Sequence, residues 1–251
     1  MGDYGTVLHS DGETWTPVYA GIADDLFAVW ARTSDDVWAV GGSGWPVDPV
    51  GVIVHFDGQA WTVAKRGTMR LECVWGSGPT DIWAGGTNGE FQHYDGTAWT
   101  SCSGVTTETI VDISGTSSQQ AWAVGSTGLL LSWDGTTWTK IPTGTGAGFS
   151  SVLAFSPTLV WAAGGNGLFF TWNGTAWNGF NIGQDYTVLG LWGEAAQAWA
   201  VGPSGSVLYF DGVTPAVKAS GTTGLLRDVG GADADHVWAV GFNGIILRHR
   251  R

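Results

Sequence analysis

Charge is what this sequence has least of: Asp, Glu, Lys and Arg make up 13% of its 251 residues, against ~25% in an ordinary soluble domain. Lysine is scarcest, three residues beside seven arginines, and the net charge is -12. So acidic a chain lacks the basic footprint that nucleic acid or an anionic membrane surface requires, and neither is expected as a partner. Cysteine is limited to Cys73 and Cys102, which leaves the redox compartment open. No apolar run approaches the ~20 residues of a spanning helix, so no membrane span is expected. A signal peptide's charged start and apolar middle are missing too, and Met1-Gly2-Asp3 reads as an added start, compatible with a secreted parent. Nor does any ~10-residue window carry 3.6 periodicity, which argues against helices.

What is present is a repeat. Asp36-Val37-Trp38-Ala39-Val40-Gly41 returns around Trp83, Trp122, Trp161, Trp199 and Trp238. These tryptophans lie 45, 39, 39, 38 and 39 residues apart. Each unit holds four apolar runs of four to six residues, here called A to D, rich in Val, Ile, Phe and Trp and bounded by Gly, Asp, Ser or Pro. These are strands. The C-to-D link reads Asp57-Gly58-Gln59-Ala60-Trp61-Thr62, with copies from Asp11, Asp95 and Asp134, weakening at Asn173 and Asp211. Asp-Gly or Asn-Gly between apolar runs marks a tight hairpin.

Four antiparallel strands per ~40 residues is the signature of a β-propeller blade. Runs B and C are apolar on both parities, as stacked blades require. Six A runs predict an all-β, six-bladed β-propeller of four-stranded antiparallel blades, one domain over residues 1–251. The chain opens with C-like and D runs and ends with A, B and another C-like run. The last blade is therefore expected to be closed by N-terminal and C-terminal strands together. Thr6–His9 and Ile245–Arg248 compete for its C place, with the C-terminal copy favoured. A displaced copy would be an edge strand through which an otherwise monomeric chain could dimerise.

The D-G-x-x-W link resembles the Asp-box (bacterial neuraminidase) repeat, best at His9-Ser10-Asp11-Gly12-Glu13-Thr14-Trp15, with one residue fewer between Asp and Trp. The whole unit is similar to the VWAVG-type repeats of bacterial propellers, a resemblance that implies an extracytoplasmic location. Ser132-Trp133-Asp134-Gly135-Thr136-Thr137-Trp138 resembles the C-W-D-G-x-x-W of six-bladed fucose-binding lectins, but Leu130 and Leu131 stand where their sugar-holding Arg and Glu would fall. Sialidases share the fold and the boxes, yet the arginine triad they need has no counterpart, with Arg248, Arg250 and Arg251 crowded at one end.

Sixteen tryptophans fall in register and read as blade packing; Trp45 alone does not. It sits in an insertion, Gly41 to Gly51, that lengthens the first B-to-C link by about seven residues. Trp45 and Asp48 there, with Lys65, Arg66 and Arg70 on the adjoining D-to-A link, form a candidate ligand platform. The competing reading is a Pro-stiffened loop covering the blade edge. Asp112 and Asp228 take matching A-strand places and are candidate channel-facing carboxylates. His9, His55 and His93 recur in phase on successive C strands, too far apart for one metal, and read as polar residues near a turn. Cys73 on A and Cys102 at the end of D of one blade stand ~14 Å apart, beyond the ~7 Å limit of a disulfide, so two free thiols are expected.

No close acid pair, elbow nucleophile, phosphate loop or calcium loop stands out. The expectation is a non-catalytic binding propeller without cofactor or metal, taking a glycan or other extracellular ligand at its loop rim. The alternative is a protein–protein scaffold or assembly factor; a glycosidase-like enzyme is the remote third.

Overall fold

Short β-strands joined by two kinds of turn make up the computed structural model, which describes residues 1–43, 50–102, 104–183, 186–212 and 214–249. Among these residues there is no α-helix. The chain is an all-β, six-bladed β-propeller of four-stranded antiparallel blades, the last of which keeps three strands in one sheet among the described residues. Its contacts divide it into two units, Met1–Ser118 and Gln119–Arg251.

In the first unit β1 (Thr6–Ser10) and β2 (Trp15–Tyr19) form a hairpin. The first blade follows in chain order: β3 (Asp25–Thr33), β4 (Asp36–Ser43), β5 (Val50–Phe56) and β6 (Trp61–Thr68). The second is β7 (Leu71–Gly78), β8 (Asp81–Gly86), β9 (Phe91–Tyr94) and β10 (Trp99–Ser101). Strand β11 (Ile110–Ser117), the A strand of the third blade, lies against β7 and β8.

The second unit continues the third blade with β12 (Gln120–Gly125), β13 (Leu130–Trp133) and β14 (Trp138–Lys140). The fourth blade is β15 (Phe149–Ser156), β16 (Leu159–Gly164), β17 (Leu168–Trp172) and β18 (Trp177–Asn181). The fifth is β19 (Gly190–Glu194), β20 (Gln197–Val201), β21 (Val207–Asp211) and β22 (Pro215–Lys218). Last comes the sheet β23 (Leu226–Asp233), β24 (His236–Gly241) and β25 (Ile246–His249), with β25 at its edge. The strand paired with β24 is thus the C-terminal copy of run C, while the N-terminal copy, β1, pairs with β2.

Turn chemistry explains the hairpins. At the C-to-D turns that begin with Asp11, Asp57, Asp95 and Asp134 the first side chain accepts backbone N–H bonds two and three residues on: Asp57 from Gln59 and Ala60, both at 2.9 Å, and Asp95 from Thr97 and Ala98 at 2.8 and 2.9 Å. Asn173 does the same for Thr175 and Ala176, so the turn uses the carbonyl-type oxygen and not the charge. The B-to-C turns place one residue in the left-handed region, Asn88, Thr127, Asn166, Ser204 and Asn243 at φ 54 to 59°, followed by a glycine. Tyr4 at φ 52° and Gly5 make the same turn, so Gly2 to Gly5 belongs to the repeat and is no appendage. A register shift recurs in the A strands, between Leu26 and Ala28, Leu71 and Cys73, Phe149 and Ser151, and Leu226 and Asp228. This is a β-bulge kept at one place in the repeat.

The core is built blade against blade. Trp38, Val40 and Ile53 of the first blade pack with Leu71, Val74, Ile82, Ala84 and Trp99 of the second. In the second unit Trp161, Ala163 and Phe169 pack with Leu191, Ala198, Leu208 and Phe210. Cys73 and Cys102 are free thiols belonging to opposite edges of the second blade, as their strand places require.

Candidate ligand-binding cleft

Across its own sheet each B-strand tryptophan pairs with one C-strand residue: Trp38 with His55, Trp83 with His93, Trp122 with Ser132, Trp161 with Thr171, Trp199 with Tyr209 and Trp238 with Arg248. The two histidines have a structural task that their phase alone did not disclose. His55 stacks on Trp38 with ring centroids 4.1 Å apart, and its Nε2 lies 2.7 Å from Asp36 Oδ1, which also accepts the Trp38 indole N–H at 3.1 Å. His93, Trp83 and Asp81 repeat the arrangement, 4.2, 2.8 and 3.1 Å. Burial alone would raise the Asp81 carboxyl, but hydrogen bonds from His93, Ser77 and the indole hold it below the usual range. The sequence signal was there: D-x-W on strand B with a histidine opposite on strand C.

Toward the following blade, Trp38 meets aromatic rings of strands C and D, and Trp161 meets Phe210 on strand C. Trp38 lies 5.0 Å from Tyr94 and 5.5 Å from Trp99, which are 5.4 Å from each other, and the three close the gap between two blades. Between the fifth and sixth blades the pattern is only partly met. Trp199 stands 4.7 Å from His249, which occupies the place of Tyr94. Beside them opens a cavity of about 790 Å³. Trp192, Trp199, Tyr209 and Val207 line one wall and Val237, Ala239, Leu247 and His249 the other. Lys218, Arg248 and Glu194 add charge to the lining. The Lys218 amine lies 5.4 Å from the Tyr209 ring centroid, and the Arg248 guanidinium 5.3 Å from that of Trp238. A groove of aromatic and aliphatic walls with a few charges at its margin suits a ligand that brings an apolar side chain and polar backbone.

The residues singled out from sequence are placed differently. Trp45 and Asp48 lie outside the described residues. The insertion flanking them lengthens strands, since β4 and β5 continue through Gly42↔Gly51 and Ser43↔Val50. Lys65 and Arg66 belong to strand β6, not to the D-to-A link. Each basic side chain has its own partner: Lys65 Nζ donates to the Trp99 carbonyl at 2.9 Å, and Arg66 pairs with Asp24 at 2.7 Å. Arg70 pairs with Glu72 and lies 4.9 Å from the Phe27 ring centroid. The Arg66 guanidinium holds Asp24 below the ordinary carboxylate range.

Asp112 and Asp228 each accept the N–H of the next residue, Ile113 at 2.9 Å and Val229 at 2.8 Å. Asp228 packs over Gly190, where any side chain would collide with its Oδ1. Surrounding protein raises its carboxyl above the ordinary value, although the residue keeps solvent-accessible surface. At the matching place in the fourth blade, Ser151 Oγ accepts the Leu191 N–H at 3.2 Å. A polar residue here thus bonds backbone of its own or the next A strand.

No family model matches the chain, and no curated protein does. Solved structures do. YCF48 bound to D1 peptide superposes with a TM-score of 0.76 at 16% identity, covering 100% of this chain and 88% of that one. YCF48 from Cyanidioschyzon merolae gives 0.72 at 17%, over 99% and 89%. The RRP9 WD40 repeats give 0.73 at 12%, over 90% and 76%. The likeness is one of fold.

Proposed function

We propose that this chain is a non-catalytic binding propeller that takes a protein or peptide ligand in the cleft between its fifth and sixth blades. The observation carrying this reading is the cavity of about 790 Å³ whose one wall ends in β25, an edge strand. Strand β25 is the last of its sheet, and the cavity beside it offers room for the side chains of an extended ligand. A propeller of the same fold, YCF48, has been solved with a peptide bound, which supports the reading by analogy of fold only. Panning a random peptide library on the intact protein tests it. Selected peptides are expected to bind the wild type and to lose at least tenfold on Trp199→Ala. Peptides that bind both proteins equally would place the ligand elsewhere.

Glycan recognition is the second reading, favoured by the half-buried rings of Trp192 and Trp199 on the cleft wall. A glycan array on the same protein separates the two, since sugar binding without any selected peptide would reverse their order.

A further inference from the structure

We propose that the cleft between the fifth and sixth blades selects a dipolar aromatic motif in its partner, an extended segment reading basic–x–aromatic–x–acidic. The aromatic ring seats beside Trp199 and His249, the acidic residue meets Lys218, and the basic residue meets Glu194. The proposal rests on the reading of the cleft as a peptide site and names the side chains that this site takes.

Strand register lays out the wall. On the fifth blade Trp192 pairs with Trp199, and Trp199 with Tyr209, so three rings form one row across β19, β20 and β21. Two residues toward the A-to-B turn, Glu194 pairs with Gln197. Two residues the other way, Val201 pairs with Val207, and Val207 with Lys218. Side chains two apart on a strand share a face, and all three rows line the cavity. The wall thus carries a carboxylate at one end, rings in the middle and an amine at the other end. Gln197 and Val201 bound β20, and four residue steps of a strand span ~13 Å.

The end groups are available and the ring place is open. Among the described residues neither Lys218 nor Glu194 makes an ion pair or a side-chain hydrogen bond, and the Lys218 amine lies against the Tyr209 ring, 5.4 Å from its centroid. Arg248 also reaches the lining, but its guanidinium is already engaged, in part on the Trp238 ring. The first two blades show what the ring place holds when it is filled: Trp38, Tyr94 and Trp99 lie 5.0, 5.5 and 5.4 Å from one another. Trp199 and His249 reproduce the first two members at 4.7 Å, and the cavity stands beside them. An aromatic side chain of the ligand supplies the third ring, a contact worth more than the area it buries.

The ligand pattern follows from these rows. An extended segment sends its first, third and fifth side chains to one side, ~6.6 Å apart, which is the spacing of residues two apart on the wall. A ring at the third place with opposite charges at the first and fifth therefore matches the wall. The match holds for either chain direction, because side chains and not backbone make it. The ring supplies most of the affinity, since exposed ion pairs contribute little. The charges choose between ligands, by pairing with one and repelling another.

The test uses fluorescein-labelled GSKTWTEGS and the intact protein, read by anisotropy at physiological salt. Binding is expected to weaken at least tenfold when the peptide tryptophan becomes alanine, and as much on Trp199→Ala. The wild type should prefer this peptide to both GSKTWTKGS and GSETWTEGS. Lys218→Glu, a surface change that serves should Trp199→Ala not fold, makes both ends of the groove acidic. It is expected to weaken GSKTWTEGS at least threefold and to bind GSKTWTKGS more tightly instead. Glu194→Lys should likewise turn the preference to GSETWTEGS. Lys140→Glu on β14 changes the net charge as Lys218→Glu does, but outside the cleft, and should keep the wild-type order. If Lys140→Glu reorders the peptides in the same way, net charge and not the groove selects them, and the proposal fails. Binding indifferent to the peptide tryptophan, or a preference that Lys218→Glu leaves unchanged, overturns the motif and leaves the cleft as a peptide site of another kind. Library peptides that bind at the cleft while these do not have the same consequence. No binding of these peptides, nor of any library peptide at the cleft, overturns both readings.

Discussion

Between the first two blades Trp38 ends against Tyr94 and Trp99; between the last two, Trp199 meets His249 and then a cavity. The tryptophans occupy the same repeat position, yet Trp38 is 5% exposed and Trp199 is only half-buried. The strand-B motif therefore does not determine its own burial. What decides it is whether neighbouring strands fill the space beside it with rings. The fourth and fifth blades show that other rings can substitute, because Pro215 stands where the D tryptophan would and Phe169 and Phe210 stack at 5.2 Å beside Trp161 instead.

The sharpest way to break the comparison is truncation. Trp38→Ala is expected to cost about 3–5 kcal/mol, the range for a buried aromatic lost from a packed core. Trp199→Ala should cost about 1–2 kcal/mol, because much of the space around it is already open. Urea unfolding of the two variants checks this. Equal losses would mean that the cavity wall is as tightly held as the closed interface.

The turns offer a second contrast of smaller size. Gly205 and Gly244 close the B-to-C turns of the fifth and sixth blades at φ 69 and 73°. A Cβ at Gly205 would stand 2.0 Å from the Thr222 carbonyl of the D-to-A link, whereas at Gly244 it would meet nothing within 4 Å. Both alanines bear the ~1–2 kcal/mol of left-handed backbone, but only Gly205→Ala must also push a link aside. Its loss is expected at about 3 kcal/mol, against about 1 kcal/mol for Gly244→Ala. Comparable melting temperatures for the two would remove the idea that the last turn is uncovered.

The repeat was legible because each of its signals is local: Asp-Gly turns, apolar runs bounded by glycine, and a tryptophan every ~40 residues. The free thiols followed from strand places alone. The candidate cleft was not legible, for two physical reasons. His249, Lys218 and Arg248 sit at ordinary repeat positions, and what distinguishes them is the strand beside which they lie, a property of sheet order and not of residue type. The basic residues are separated for the converse reason. Lys65, Arg66 and Arg70 are near in sequence, but a strand sends successive side chains to opposite faces, and Trp99, Asp24 and Glu72 take them separately.

Reactivity of the thiols ranks next. Burial pushes the Cys73 thiol well above its ordinary pKa, with Asp112 adding to the shift, and burial raises Cys102 less. Native alkylation at pH 8 should label Cys102 first and leave Cys73 unmodified until the second blade opens. Labelling of Cys73 at the same rate would mean that the closed interface of the first unit opens as readily as a surface.

The smallest effect separates turn geometry from turn charge. Hydrogen bonds from Thr97 and from the Ala98 and Thr97 amides lower the Asp95 carboxyl to about 2, and those from Thr14 and Glu13 lower Asp11 likewise, from an ordinary value of 3.8. A carboxyl bound less tightly to its proton in the folded chain stabilises the fold at pH values above 3.8, and that contribution fades as pH falls from 3.8 toward 2. The melting temperature should therefore drop over this window, by a modest amount because both groups are fully exposed. Asn173 already makes the same turn bonds without a titrating group, at 3.0 and 2.9 Å. Asp95→Asn is accordingly expected to keep the neutral-pH melting temperature within a degree or two and to flatten the acid slope. A large loss at pH 7 would show that the negative charge, and not the position of an acceptor oxygen, closes the hairpin, and the weakened turn at Asn173 would then mark where the repeat holds least firmly.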